Sequence, residues 1–196
     1  MMREEGIGGM KMSSTFAKEV IDWLKAIVIA IIIVVIIKIF FFQSYLVFGE
    51  SMHPTVEPGD KLIINKITYR LSDIEHQDLI VFHANENEDY IKRVIALPGD
   101  TVKYHDDVLY VNNKDVNEEY LIPNREQVDD GGPLTENFTL EEKTGYKEVP
   151  EGYLFVMGDN RRKSSDSRHF GLVPIDEVVG KASFRYAPIK EIGKLQ

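Results

Sequence analysis

Residues 23–42, WLKAIVIAIIIVVIIKIFFF, constrain this chain more than any other stretch. As a helix, that run is about 30 Å long, the thickness of a hydrocarbon core. Its charges are Lys25 near the start and Lys38 near the end, where a long stem lets an ammonium reach the headgroups. Residues 26–37 are uncharged and rich in β-branched side chains, with no polar face for water. This predicts a transmembrane anchor helix over 23–42. Lys11, Lys18 and Lys25 precede it, and no further Lys or Arg follows Lys38 until Lys61. The bias predicts a single-pass protein of the cell membrane, with residues 1–22 cytoplasmic and 43–196 extracytoplasmic. FFFQSYLVFGES lacks a small-x-small cleavage site, so the run reads as an uncleaved anchor. The segment YLVF that follows suits lipid contact or core packing equally.

Beyond the run, about 155 residues remain, enough for one domain with its own core. The chain has no cysteine, which excludes disulfides, thiolate metal sites and a cysteine nucleophile. Its net charge is −9. A surface that acidic suits solubility and does not suit phosphate backbones, so no nucleic-acid partner is expected.

The domain reads as mostly β. Segments 44–49, 60–67, 78–84, 89–97, 101–105, 108–113, 152–158 and 180–187 are rich in Val, Ile, Tyr and Phe. They are bounded by turn residues: PGD at 58–60 and 98–100, HDD at 105–107 and NN at 112–113. Short strands at close spacing predict an antiparallel sheet forming a sandwich or a partly open barrel. TVKYHDDVLYVNNKDV reads as a hairpin. Residues 123–151 show weak periodicity and much Gly, Pro and Glu, and read as a loop or small lobe, so that 103–150 forms an appendage. Residues 173–180 hold one expected helical turn.

Three stretches carry candidate chemistry. FGESMHPTVEPGD places Ser51 in a turn-rich loop just past the apolar run. His53 is near it in sequence, but Pro54 follows and GESMH departs from the nucleophile elbow at its last position. His76, Asp78 and His83 match no strong metal spacing, so no metal site is expected. In DYIKRVIALPGD, alternation puts Tyr90, Lys92 and Val94 on one face and Ile91, Arg93 and Ile95 on the other. Either Lys92 or Arg93 then points inward. A buried lysine loses its proton easily and suits a general base, which arginine cannot be. An exposed edge-strand lysine fits the pattern equally well. MGDNRRKSSDSRHFG (157–171) is a long polar loop in which Asp166 and Arg168 can brace one another.

Taken in order, GESMHPT, GDKLIINK, DYIKRVIALPGD and GDNRRKSSDSRHFG resemble the motifs of bacterial type I signal peptidase, the compact single-anchor kind. The resemblance covers nearly the whole chain. It implies a serine endopeptidase that removes signal peptides from exported preproteins at the outer membrane face, through an acyl-enzyme and without a cofactor. Ser51 would be the nucleophile and Lys92 the base, with Ser164 orienting the lysine amine. Asp166, Arg168, Asp159 and Asn160 would support them. Tyr45, Val47, Gly49, Met52, Leu62, Tyr90 and Ile91 match positions of the substrate pocket. The expected partners are secreted preproteins with small residues at −1 and −3 and a phospholipid membrane, and the expected working unit is a monomer. Some relatives place a hydroxyl two residues before the nucleophile as an oxyanion donor; Gly49 stands there in this chain.

Overall fold

The computed structural model describes residues 14–66 and 74–195. Lys11 and the rest of 1–13 lie outside it, as does Ile67 at the end of the expected 60–67 strand. The chain divides into two units, Met1–Phe40 and Phe41–Gln196.

Helix α1 (Ser14–Phe41) contains most of the long apolar run. The transmembrane expectation is corrected here, because among the described residues no helix is long and apolar enough to cross a membrane. The reason lies in where the charges fall. Lys18, Glu19, Asp22 and Lys25 occupy the N-terminal half, and Lys25 donates to Asp22 at 3.1 Å. The uncharged stretch between Lys25 and Lys38, residues 26–37, covers about 18 Å of helix against about 30 Å of hydrocarbon. The anchor over 23–42 therefore falls, and with it the single-pass cell-membrane topology with a cytoplasmic N-terminus.

The second unit is mostly antiparallel β. Its strands are β1 (Phe42–Leu46), β2 (Lys61–Asn65), β3 (Leu79–Asn85), β4 (Glu88–Ala96), β5 (Val102–His105) and β6 (Val108–Val111). They continue with β7 (Lys114–Val116), β8 (Phe138–Thr139), β9 (Tyr153–Met157), β10 (Val173–Pro174), β11 (Val178–Ala187) and β12 (Gly193–Lys194). One sheet runs β1-β2-β11-β3-β4-β9-β10, with β12 beside β11; the other runs β7-β6-β5-β8.

Local chemistry explains the hairpins of the smaller sheet. Asp106 and Asp107 have φ of 50° and 60°, and Asn112 and Asn113 have 52° and 61°. Paired positive φ values make two-residue turns whose twist matches the strands, and Asn and Asp tolerate them best. The expected hairpin over 101–116 is thus two hairpins sharing β6.

Residues 123–151 are more ordered than their composition suggests. They contain β8 and most of the short helix α2 (Ile122–Glu126), together with α3 (Leu140–Thr144). Thr139 and Glu142 close α3 with a reciprocal capping box, and Gly145 ends it at φ 78°. The turn expected in 173–180 is a 3-10 turn at Ile175–Glu177.

Strand β4 is central and meets all three apolar clusters of the unit. Ile91 packs with Leu62, Leu79 and Val81, Val94 with Phe82 and Val156, and Ile95 with Tyr104 and Phe155. With β3 and β9 on its two sides and packing on both faces, the C-terminal half of β4, from Lys92 to Ala96, exposes neither set of alternating residues. Lys92 and Arg93 are therefore both buried, 3% and 1% exposed. The expectation that one or the other points inward is corrected on that ground.

Candidate active site

Ser51 lies in the loop between β1 and β2, and Lys92 lies on β4. Lys92 Nζ donates to Ser51 Oγ at 2.7 Å. Burial pushes the Lys92 ammonium down to about 8, while the carboxylates of Asp166 and Asp159 pull in the other direction. At about 8, roughly a tenth of the amine is neutral at pH 7, and the neutral form can accept the serine proton.

The loop carrying Ser51 is clamped to the turn that follows β9. The Asn160 N–H donates to the Ser51 carbonyl at 3.0 Å, and Asn160 Nδ2 donates to the Glu50 carbonyl at 3.0 Å. Asp159 is fully buried and accepts two bonds from Arg93, at 2.9 and 2.6 Å. Thr55 Oγ1 donates to the same carboxylate at 2.6 Å, and Asn124 Nδ2 bridges the carbonyls of His53 and Asp159. A buried carboxylate is tolerable only when paired and bonded in this way. Gly158 completes the clamp. A Cβ there would run into Ser164 Oγ and the Ser51 carbonyl, so only glycine permits this approach.

Asp166 and Arg168 form the expected brace. Arg168 donates from Nε and Nη2 to the buried carboxylate at 2.8 and 2.7 Å, and the Gly158 N–H donates at 3.0 Å. Burial works against the Asp166 charge, but Arg168 and the Gly158 amide outweigh it and hold the carboxyl below its usual range. Arg168 also donates to the Arg161 carbonyl at 2.8 Å, which closes the 161–168 loop. Ser164 is buried close enough to Asp166 to favour its charge, yet among the described residues Ser164 Oγ makes no hydrogen bond of proper geometry, to Lys92 or to any other group.

One part of the clamp was not expected from the sequence. Arg161 is 3% exposed and donates to Glu118 at 2.5 Å and to the Gly158 carbonyl at 3.0 Å. Tyr104 donates to Glu118 Oε2 at 2.5 Å, and Tyr120 donates at 2.7 Å to Oε1, the oxygen that Arg161 also binds. This network ties the smaller sheet to the Gly158 turn. Arg161 and Glu118 are 43 residues apart, and nothing in the local pattern of either pairs them.

A cleft of about 310 Å³ opens beside Ser51 and Lys92. Tyr45, Val47, Gly49, Leu62, Tyr90 and Ile91 line it, as their motif positions suggest. Met52 does not; it is 1% exposed and packs beneath the loop with Val56 and Leu62. Tyr45 donates to Asp89 at 2.7 Å, and burial followed by that carboxylate raises its pKa. Gly49 has φ +89°, a conformation that any side chain would strain, which accounts for the missing hydroxyl at this position. His76 and His83 go to separate carboxylates, Asp100 at 2.7 Å and Asp89 at 2.6 Å.

Comparison with known proteins decides the family. The family described as signal peptidase, peptidase S26, matches residues 20–187. The chain belongs to that family. Signal peptidase I of Bacillus caldolyticus is 53% identical over 163 residues, covering 83% of this chain and 89% of the relative. Signal peptidase IB of Staphylococcus aureus (strain COL) is 40% identical over 178 residues, covering 89% and 93%. The crystal structure of a signal peptidase I from Enterococcus faecalis V583 superposes with a TM-score of 0.55 at 42% identity, covering 57% of this chain and 98% of that one. Within the S26 family, then, the chain brings together a buried lysine, a loop serine and an apolar cleft.

Proposed function

We propose that this protein removes signal peptides from preproteins with Ser51 as nucleophile and Lys92 as general base. Family membership supports signal-peptide hydrolysis by a serine-type peptidase, preprotein substrates and a general association with the membrane. The observation that carries the finer reading is the 2.7 Å contact between Lys92 Nζ and Ser51 Oγ, with the amine buried and its pKa lowered to about 8.

In the mechanism, neutral Lys92 takes the Ser51 proton as Oγ attacks the scissile carbonyl. The resulting ammonium gives that proton to the leaving amine, which departs as the new N-terminus of the mature chain. Lys92 then takes a proton from water as the water attacks the ester, and returns it to Ser51 Oγ. The Ser51 backbone N–H donates to the oxyanion. Asp159 and Asn160 hold the serine loop, while Asp166 and Arg168 hold the loop that carries Ser164. Ser164 is buried, and among the described residues its hydroxyl makes no hydrogen bond of proper geometry, so a small movement could turn it toward the lysine amine.

The cleft takes the signal peptide's last residues as an extended strand. Alternate side chains of such a strand face one wall, and Tyr45, Leu62, Tyr90 and Ile91 leave it shallow, so small residues at −1 and −3 fit. Residues 43–196 carry the activity and 103–150 form a non-catalytic lobe. The working unit is a monomer.

The experiment is cleavage of a preprotein by wild type, Ser51→Ala and Lys92→Ala. Loss of cleavage in both variants is expected. Wild-type cleavage by either would refute the dyad.

A further inference from the structure

A second groove, of about 620 Å³, borders the first along the 162–165 loop. The two share Lys163 and Ser165 as a common wall, with Ser51 lining the first and Ser164 the second.

The charge of the second groove differs from that of the protein. The chain as a whole carries −9, yet Lys143, Arg161, Arg162, Lys163, Arg168 and His169 all line this groove. The arginines are committed: Arg161 to Glu118, Arg162 to Asp130 and Arg168 to Asp166. The lysines are not. Lys163 has only a loose contact with Glu50 at 3.6 Å, both side chains exposed. Lys143 has no carboxylate within ion-pair distance among the described residues, and its Nζ sits 6.0 Å over the Phe138 ring. Against these two cations the groove sets Asp130, which Arg162 holds, and Glu136, which has no ion pair among the described residues.

We propose that the second groove receives the substrate on the carboxyl side of the cut, and that Lys163 and Lys143 favour acidic side chains among the first residues of the mature protein. The proposal rests on the Ser51/Lys92 reading, since it takes Ser51, in the first cleft, as the point of cleavage and the shared Lys163 and Ser165 wall as the crossing to the second groove. A solvated ion pair contributes little alone, so two of them acting on one substrate set a preference of about fivefold in kcat/KM. Because both lysines face water, the preference fades as salt is raised to about 1 M.

The test uses synthetic preprotein peptides identical through −1. At +2 and +3 they carry Asp-Glu, Asn-Gln or Lys-Lys. Each is cleaved by wild type, by Lys163→Glu and by Lys143→Glu, and the kcat/KM ratio of acidic to neutral peptide is taken within each enzyme. A wild-type ratio of about five is expected, falling toward one or inverting in the variants and at high salt. A wild-type ratio of one, or a ratio that survives both reversals, overturns the proposal. If wild type cleaves none of the peptides, the Ser51/Lys92 reading falls and takes the proposal with it.

Discussion

Gly158→Ala tests the close packing that holds Ser51. The added methyl carbon would lie 2.6 Å from Ser164 Cβ and closer still to Ser164 Oγ and the Ser51 carbonyl oxygen. Ordinary contact needs about 3.5 Å, so Ser164 and the Ser51 carbonyl must each give way by about 1 Å. Neither moves freely. The Ser51 carbonyl is held by the Asn160 N–H at 3.0 Å, and Ser164 follows a loop that Arg168 closes on the Arg161 carbonyl. Over-packing of this kind costs about 1–3 kcal/mol, and in a domain of this size each kcal/mol lowers Tm by about 2–4 °C. The effect on rate is larger, because a 1 Å displacement of Ser51 from Lys92 costs about 100-fold in turnover. Kinetics on a preprotein peptide and urea unfolding of the same preparation separate the two effects. KM should change less than kcat, since Gly158 is not among the residues that line the cleft with Tyr45, Leu62 and Ile91. An alanine variant within about twofold of wild-type kcat and about 0.5 kcal/mol of its stability would refute the packing argument.

Glu118→Gln leaves Arg161 buried without its counter-charge, and it turns into a donor one of the two oxygens that Tyr104 and Tyr120 bond separately. It should cost about 3–5 kcal/mol in urea unfolding, and a loss under about 1 kcal/mol would mean water reaches the pair. Ser164→Ala removes a hydroxyl that has no hydrogen bond among the described residues, so stability should hold or rise, since an unsatisfied buried hydroxyl costs about 1–3 kcal/mol. A fall in kcat for that variant at unchanged stability would then report a role of the hydroxyl toward Lys92.

The strands and the hairpin turns were legible because their signals are local. Alternating Val, Ile and Tyr mark β3, β4 and β6, and Asp106–Asp107 and Asn112–Asn113 mark turns that need positive φ. Lys92 stood out because an ionisable group inside an apolar run is costly unless it has work to do. The burial of Arg93 was not legible. It depends on β4 having β3 on one side, β9 on the other and Asp159 waiting 66 residues downstream. The pairing of Glu118 with Arg161 was not legible for the same reason, since the two lie 43 residues apart. Gly158 looked like a strand end, but the Ser51 and Ser164 atoms that exclude a side chain there come from two different loops. The apolar run misled for a different reason. Length and hydropathy taken together suggested a span, but the charges at Lys18, Glu19, Asp22 and Lys25 leave only a short uncharged stretch in the described helix.

The role of Lys92 as a neutral base is tested most directly by the pH dependence of kcat/KM on a preprotein peptide. Burial lowers the ammonium to about 8, so below that pH the amine is protonated and cannot accept the Ser51 proton. Activity should therefore rise with pH along a limb whose midpoint lies at about 8. A midpoint near the ordinary lysine value of about 10.4, or one near the histidine value of about 6.5, would contradict a buried Lys92 as the base that activates Ser51.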